Sequence, residues 1–214
     1  MLQPISKRAT LIAFEGIDGS GKTTVANLLV ERLTAHGVSA SLHLNRSLKP
    51  VRDALDTLAR EDGHRDRFEL LGAGTAQLMA AMLKWRELLD VAPSLDRPEH
   101  VVVVDRYLYT HLALAVAHGT TNVDLLRRLF GVFPEPDIVL FADVDPQVAA
   151  DRVRRRGRDL DSLDFLTRLR AGYLSLPEAR RFHLLPGAAD PAEVLDAAWR
   201  AVAPLIPAAS AVRS

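Results

Sequence analysis

Residues 16 to 24 read Gly-Ile-Asp-Gly-Ser-Gly-Lys-Thr-Thr, which fits the pattern G-x-x-x-x-G-K-[ST]. Glycines at this density let successive backbone N–H groups turn toward one centre. Such a nest, placed at the start of a helix, holds anionic phosphate oxygens. Gly16, Asp18, Gly19, Ser20, Gly21, Lys22, Thr23 and Thr24 are therefore the candidate residues for binding ATP. Lys22 brings a mobile positive charge to the β- and γ-phosphates, and the Thr23 hydroxyl is a candidate ligand of Mg²⁺.

A second group of residues suits phosphoryl transfer. Asp105 closes the run Val101–Val104. A carboxylate at the carboxyl end of a buried strand faces the region where ligands of open α/β sheets bind. It can hold Mg²⁺, directly or through water, or cap the next helix. Arg106, beside it, can clamp a second phosphate. Arg152, Arg154, Arg155, Arg156 and Arg158 form a basic run. An arginine brought over a transferring phosphoryl group stabilises its charge, and a mobile lid is a usual way to deliver it. Arg156 and Arg158 are the candidates for that role, although positive charge also suits a solvated helix end.

These groups need elements to position them. Leu11–Phe14 is a short apolar run that predicts a buried strand before the glycine-rich turn. Helical apolar spacing follows from Thr24 to His36, with Gly37 as a stop. Strands are predicted over Val38–Leu44, Val101–Val104, Ile138–Ala142 and Phe182–Leu185. Helices are predicted over Leu48–Arg60, Phe68–Leu89, Tyr109–His118, Asp124–Phe130, Pro146–Arg156, Phe165–Ser175 and Pro191–Val202. This alternation implies an α/β fold whose parallel sheet is covered on both faces. One domain over residues 10–206 is expected, with a lead-in at 1–9, an Arg-rich lid at about 154–162 and a loose tail at 207–214.

Composition narrows the remaining classes. Of the 214 residues, 48% are hydrophobic, ample for one core. The formal net charge of zero gives no indication of a global basic surface for nucleic acid. There is no cysteine, so disulfides and thiolate metal sites are excluded. No apolar run reaches the roughly 18–20 residues that span a bilayer, and Met1–Thr10 lacks the apolar core of a signal peptide. A cytoplasmic protein with no membrane partner is expected.

Several stretches also resemble the thymidylate kinase family. Phe14–Thr24 resembles its phosphate loop, and Asp105-Arg-Tyr-Leu-Tyr-Thr110 resembles its DR[YHW]-x-x-S segment. Pro136–Phe141, Leu169–Leu174 and Asp190–Val194 resemble its PD-led strand, the helix after its lid and the segment near its adenine pocket. The resemblance implies a P-loop NTPase fold with a five-stranded parallel sheet and a lid. It implies Mg²⁺-dependent transfer of the ATP γ-phosphate to a nucleoside monophosphate, dTMP or a related pyrimidine nucleotide, by a homodimer. It also implies that Asp18 meets the acceptor's 3′-hydroxyl, that Arg46 and Arg106 grip its phosphate, and that Tyr107 and Thr110 line its site.

Departures from the family cluster at the acceptor base. A REPGG-type stretch is replaced by Asn45–Pro50. The nearest fit to the Phe-x-x-x-Arg pattern that holds the base is Met82-x-x-x-Arg86, with Trp85 where an acidic residue is usual. His111 occupies the polar position after the DRYxxS-like segment, and Leu114 replaces a tyrosine linked to excluding ribose. Of the lid's D-R-x-E pattern only Asp159-Leu-Asp161 remains. Two other readings stay open. One is a kinase for a deoxynucleoside or other hydroxyl compound, for which Glu15 is the one base candidate. The other is a nucleotide-dependent switch ATPase.

Overall fold

In the computed structural model, which describes residues 4–45, 49–156 and 162–206, the four valines lie at the heart of the sheet. Strand β3 (His100–Asp105) is buried along its whole length. It pairs in parallel with β1 (Thr10–Glu15) on one side and β2 (Ser39–His43) on the other. β4 (Ile138–Asp143) adds to the far side of β1, and β5 (Phe182–Pro186) to β4. The five-stranded parallel sheet, in the order β2-β3-β1-β4-β5, is the one the resemblance implied.

Alternation along the strands divides the core in two. Leu11, Ala13, Val102 and Val104 face one layer, while Ile12, Phe14, Val101 and Val103 face the other. A strand buried on both faces needs apolar residues at every position, which explains the unbroken valine run. The second face is covered by α1 (Lys22–Ala35) and α9 (Pro191–Val202), through Val25, Leu29, Leu33, Val194 and Ala198. The first face is covered by α4 (Ala73–Leu95), α5 (Leu108–Ala117), α6 (Val123–Phe130), α7 (Pro146–Arg155) and α8 (Leu163–Ser175). α2 (Lys49–Glu61) and α3 (Arg67–Leu71) lead into α4, and Pro50 sits in the first turn of α2.

The long helix predicted over Phe68–Leu89 is two helices. Gly72, at φ 76° and ψ 145°, separates α3 from α4. Asp66 caps α3 by accepting from the amides of Phe68 and Glu69. α4 then runs past the predicted end to Leu95 and contains Pro93. Val91 and Leu95 are buried in the core, and that packing outweighs the backbone hydrogen bond lost at the proline.

The chain leaves β1 for one side of the sheet, through β2 and β3, and returns past β1 to β4 and β5. The loop after β1 therefore stands at a topological switch point, where open α/β sheets bind ligands. None of the described helices is long and apolar enough to cross a membrane.

Candidate active site

The loop between β1 and α1 is shaped by its glycines. Gly19 has φ 84°, and a Cβ there would come within 2.3 Å of the Ala149 carbonyl oxygen in α7. Only a residue without a side chain lets the loop pass this close to a neighbouring backbone. Gly21 ends the loop in the left-handed region, and α1 has no side-chain cap. An uncapped helix N-terminus leaves backbone donors for an anion. The Ser20 hydroxyl beside it is buried with no partner among the described residues.

Lys22 is buried, its ammonium 3.2 Å from the Ile17 carbonyl and 3.6 Å from Asp18 Oδ1. Burial, with the Arg106 charge nearby, lowers its pKa. The Thr23 hydroxyl donates to Asp105 Oδ2 at 2.6 Å. The other oxygen, Asp105 Oδ1, is buried with no partner among the described residues. A carboxylate oxygen left unpaired next to a hydroxyl, at the edge of a phosphate loop, is a donor set of the hard, oxygen-only kind that Mg²⁺ takes. No group of three or more potential metal-ligating side chains occurs among the described residues.

Arg106 reaches back across the same edge. Its guanidinium pairs with Asp18 and donates to the Gly16 carbonyl at 3.1 Å. Its backbone has φ 65°, an uncommon conformation for a residue with a side chain. Below it lies a polar cluster that joins β1, α5 and α8. Glu15, wholly buried, accepts from the Tyr107 amide at 2.9 Å, the Thr110 hydroxyl at 2.5 Å and the Tyr173 hydroxyl at 3.0 Å. Thr110 and Tyr173 in turn lie 3.3 and 3.4 Å from Arg106 Nη1. Burial raises the Glu15 pKa, with the hydrogen bonds from Thr110 and Tyr107 opposing the shift. With donors on both oxygens Glu15 is an anchor for α5 and Arg106. It is not the substrate-facing base that transfer to a neutral hydroxyl would call for.

A cavity of about 360 Å³ opens on the other side of the loop. Val25, Ala189, Pro191 and Val194 give it apolar walls, and Ser20, Thr24, Arg152, Arg155 and Arg156 give it polar ones. Apolar lining with a few polar groups suits a nucleotide base. Arg152 is pinned by the Gly187 carbonyl at 2.6 Å and the Ala188 carbonyl at 3.3 Å. Arg154 turns to Asp151 at 2.6 Å instead. Asp143, at the end of β4, takes a two-pronged ion pair from Arg170 of α8, at 2.7 and 2.9 Å.

The remaining expected residues divide three ways. Arg46, Arg158 and the Asp159–Asp161 remnant lie outside the described residues. His111 is buried beside Phe130, its Nδ1 without a partner among the described residues. Tyr107 turns its hydroxyl away to the Pro134 carbonyl, at 2.8 Å. The base clamp expected of Met82 and Arg86 is not assembled: Met82 is 57% exposed, and Arg86 faces solvent in an ion pair with Asp90 at 2.6 Å. The buried face of α4 carries Gln77, Ala81, Lys84 and Leu88. Tyr173 and Lys84 were not singled out from the sequence. Tyr173 lies in the Leu169–Leu174 stretch, whose resemblance does not say what the hydroxyl meets, and a lone lysine at helical spacing carries no local signal.

Residues 14–197 match the family model described as thymidylate kinase. The chain is 31% identical over 170 residues to a probable thymidylate kinase of Archaeoglobus fulgidus, covering 77% of this chain and 80% of that protein. It is 30% identical over 193 residues to probable thymidylate kinase 1 of Saccharolobus solfataricus, covering 90% and 96%. A thymidylate kinase of Xanthomonas euvesicatoria is 33% identical over 190 residues, covering 86% and 79%.

Proposed function

Because this chain belongs to the thymidylate kinase family of phosphotransferases, we propose that it transfers the γ-phosphate of ATP to dTMP, giving dTDP and ADP. The observation that carries this reading is the meeting of Lys22, Arg106 and Asp18 at the loop, beside the Thr23–Asp105 pair. A phosphate-binding loop alone suits any nucleoside triphosphatase. A second buried cation aimed at the same place suits an acceptor that is already an anion.

The loop amides and Lys22 hold the donor's phosphates, and the cavity beside Val25 and Pro191 takes its base. Arg106 neutralises the acceptor phosphate, joined by Arg46, while Asp18 meets the acceptor sugar. Thr110 and His111 lie along the acceptor side. Arg156 and Arg158, from the lid, close over the transferred group. Thr23 and Asp105 are the residues that would hold Mg²⁺, directly or through water. When bound, the ion offsets charge on the β- and γ-phosphates. The acceptor's phosphate oxygen is anionic near neutral pH, so no general base is required, and the work is positioning and electrostatics. That agrees with the saturated hydrogen bonding of Glu15 and disfavours transfer to a neutral hydroxyl. We place the reaction in a cytoplasmic homodimer on the strength of the family resemblance.

The test is ADP release with Mg·ATP and a panel of acceptors: dTMP, dUMP, other nucleoside monophosphates and the matching nucleosides. Rapid turnover with dTMP supports the reading. Turnover with a nucleoside alone, or slow hydrolysis that no acceptor stimulates, replaces it with a hydroxyl kinase or a nucleotide switch.

A further inference from the structure

Lys84 is 1% exposed, yet the mechanism above gives it nothing to do. Its ammonium lies 3.3 Å from the Asp105 carbonyl oxygen and 3.5 Å from Glu87 Oε2, one helical turn on. A buried lysine is uncommon unless something holds it there.

The Asp105 carbonyl needs a partner for a reason that can be read from the sheet. The next amide, of Arg106, donates to the Phe14 carbonyl of β1 at 2.9 Å. The N–H and C=O of one trans peptide point in opposite directions. The Asp105 carbonyl therefore faces away from β1, toward β2. Pairing with β2 has ended by then, at His43–Val104. Lys84 supplies the donor that a longer β2 would have given. The peptide it holds is the one that enters the left-handed conformation of Arg106. L-residues resist that conformation, so it persists only where surrounding contacts fix it.

We infer that Lys84 is a positioning residue for phosphoryl transfer. It fixes the 105–106 peptide so that the Asp105 carboxylate faces Thr23 while the Arg106 guanidinium faces Asp18. Glu87 balances the buried charge, and the Glu15 cluster holds the following residues from the opposite side. Released from Lys84, the peptide can rotate toward a relaxed conformation and carry both functional side chains away from the loop.

This inference rests on the proposed acceptor chemistry, and the experiment separates the two. Lys84→Met alone leaves Glu87 with one fewer partner and can destabilise the fold, so the decisive variant is Lys84→Met with Glu87→Gln. Removing both charges of a buried pair is often neutral for stability. The double variant is expected to melt cooperatively but below wild type, because the Asp105 carbonyl loses its donor, with KM for dTMP raised and kcat lowered by about tenfold or more. The Mg²⁺ concentration for half-maximal rate should rise as well, since Asp105 moves with the same peptide. Wild-type kcat and dTMP KM in a folded double variant would overturn the inference, by reducing Lys84 to the partner of Glu87. A crystal structure of the double variant gives a readout independent of any acceptor. Arg106 leaving its left-handed conformation supports the inference, and Arg106 unmoved against Asp18 overturns it. A wild-type protein inactive on dTMP counts against the acceptor reading and leaves the crystallographic result to decide the role of Lys84.

Discussion

Lys22 sits between a carbonyl, a carboxylate and the Arg106 charge, with almost no contact with water. A cation held this way is preorganised for phosphate and costs no reorganisation when charge develops on it. Lys22→Ala is expected to lower the ADP-release rate by roughly 10²- to 10³-fold, the usual loss for one preorganised electrostatic contact. The fold should survive, as circular dichroism and a cooperative melt would register. Near-normal turnover in that variant would mean that the loop does not handle the transferred phosphate. Asp105 lends itself to a subtler test, because among the described residues only one of its oxygens has a partner. Asp105→Asn keeps the shape and removes the charge. The Mg²⁺ concentration for half-maximal rate should rise on the order of tenfold or more, as it does when a supporting metal contact is lost. Unchanged Mg²⁺ dependence would leave Asp105 as a partner of Thr23 and nothing more.

At the scale of elements, α8 is the link between the arginine run and the acceptor side. It packs so closely on α5 that a Cβ on Gly172 would come within 2.7 Å of the Ala113 carbonyl oxygen. The next residue, Tyr173, donates its hydroxyl to Glu15 and lies 2.6 Å from the Thr110 hydroxyl. Tyr173→Phe keeps the ring in the core and removes the hydroxyl's contacts with Glu15, Thr110 and Arg106. We expect a stability loss of about 1 kcal/mol, the usual net worth of a hydrogen bond, and a severalfold rise in KM for dTMP with KM for ATP unchanged. Equal changes in both KM values would point to general loosening instead of a link to Arg106. The elements also set what the sequence could disclose. Strand β3 and the phosphate loop were legible because burial on both faces and tight turning restrict residue type directly. The rotation of α4 was not. Met82-x-x-x-Arg86 has the right spacing for one helix face, but spacing is unchanged when the helix turns about its axis. Lys84, two residues and therefore about 200° from Arg86, is the one turned inward. Likewise Gly72 reads as a weak point within one helix, and only the φ and ψ it adopts reveal a break between two.

Burial across the molecule disfavours the protonated form of several of its seven histidines. Burial lowers the pKa of His43, His100 and His118, and pushes His111 down from 6.5 to about 3, with Lys84 and Arg106 adding repulsion. An unfolded chain binds a proton at His111 as the pH falls through 6.5, whereas the folded chain does not until about 3. Stability contributed by the neutral imidazole is therefore complete above 6.5 and shrinks progressively toward 3. Glu15 works the other way. Its raised pKa adds stability at low pH that is lost as the pH rises through its folded value. Acid sensitivity of the wild type alone would thus mix opposing groups, and a difference isolates one of them. His111→Leu removes a single titrating ring of similar bulk beside Phe130. Urea unfolding of both proteins at pH 7, 6, 5 and 4 should give a stability difference, wild type minus variant, that falls on acidification. The limiting slope is about 1.4 kcal/mol per pH unit, the value for one proton. A constant difference across that range would mean that His111 titrates alike in both states, and its burial beneath the acceptor side would have to be abandoned.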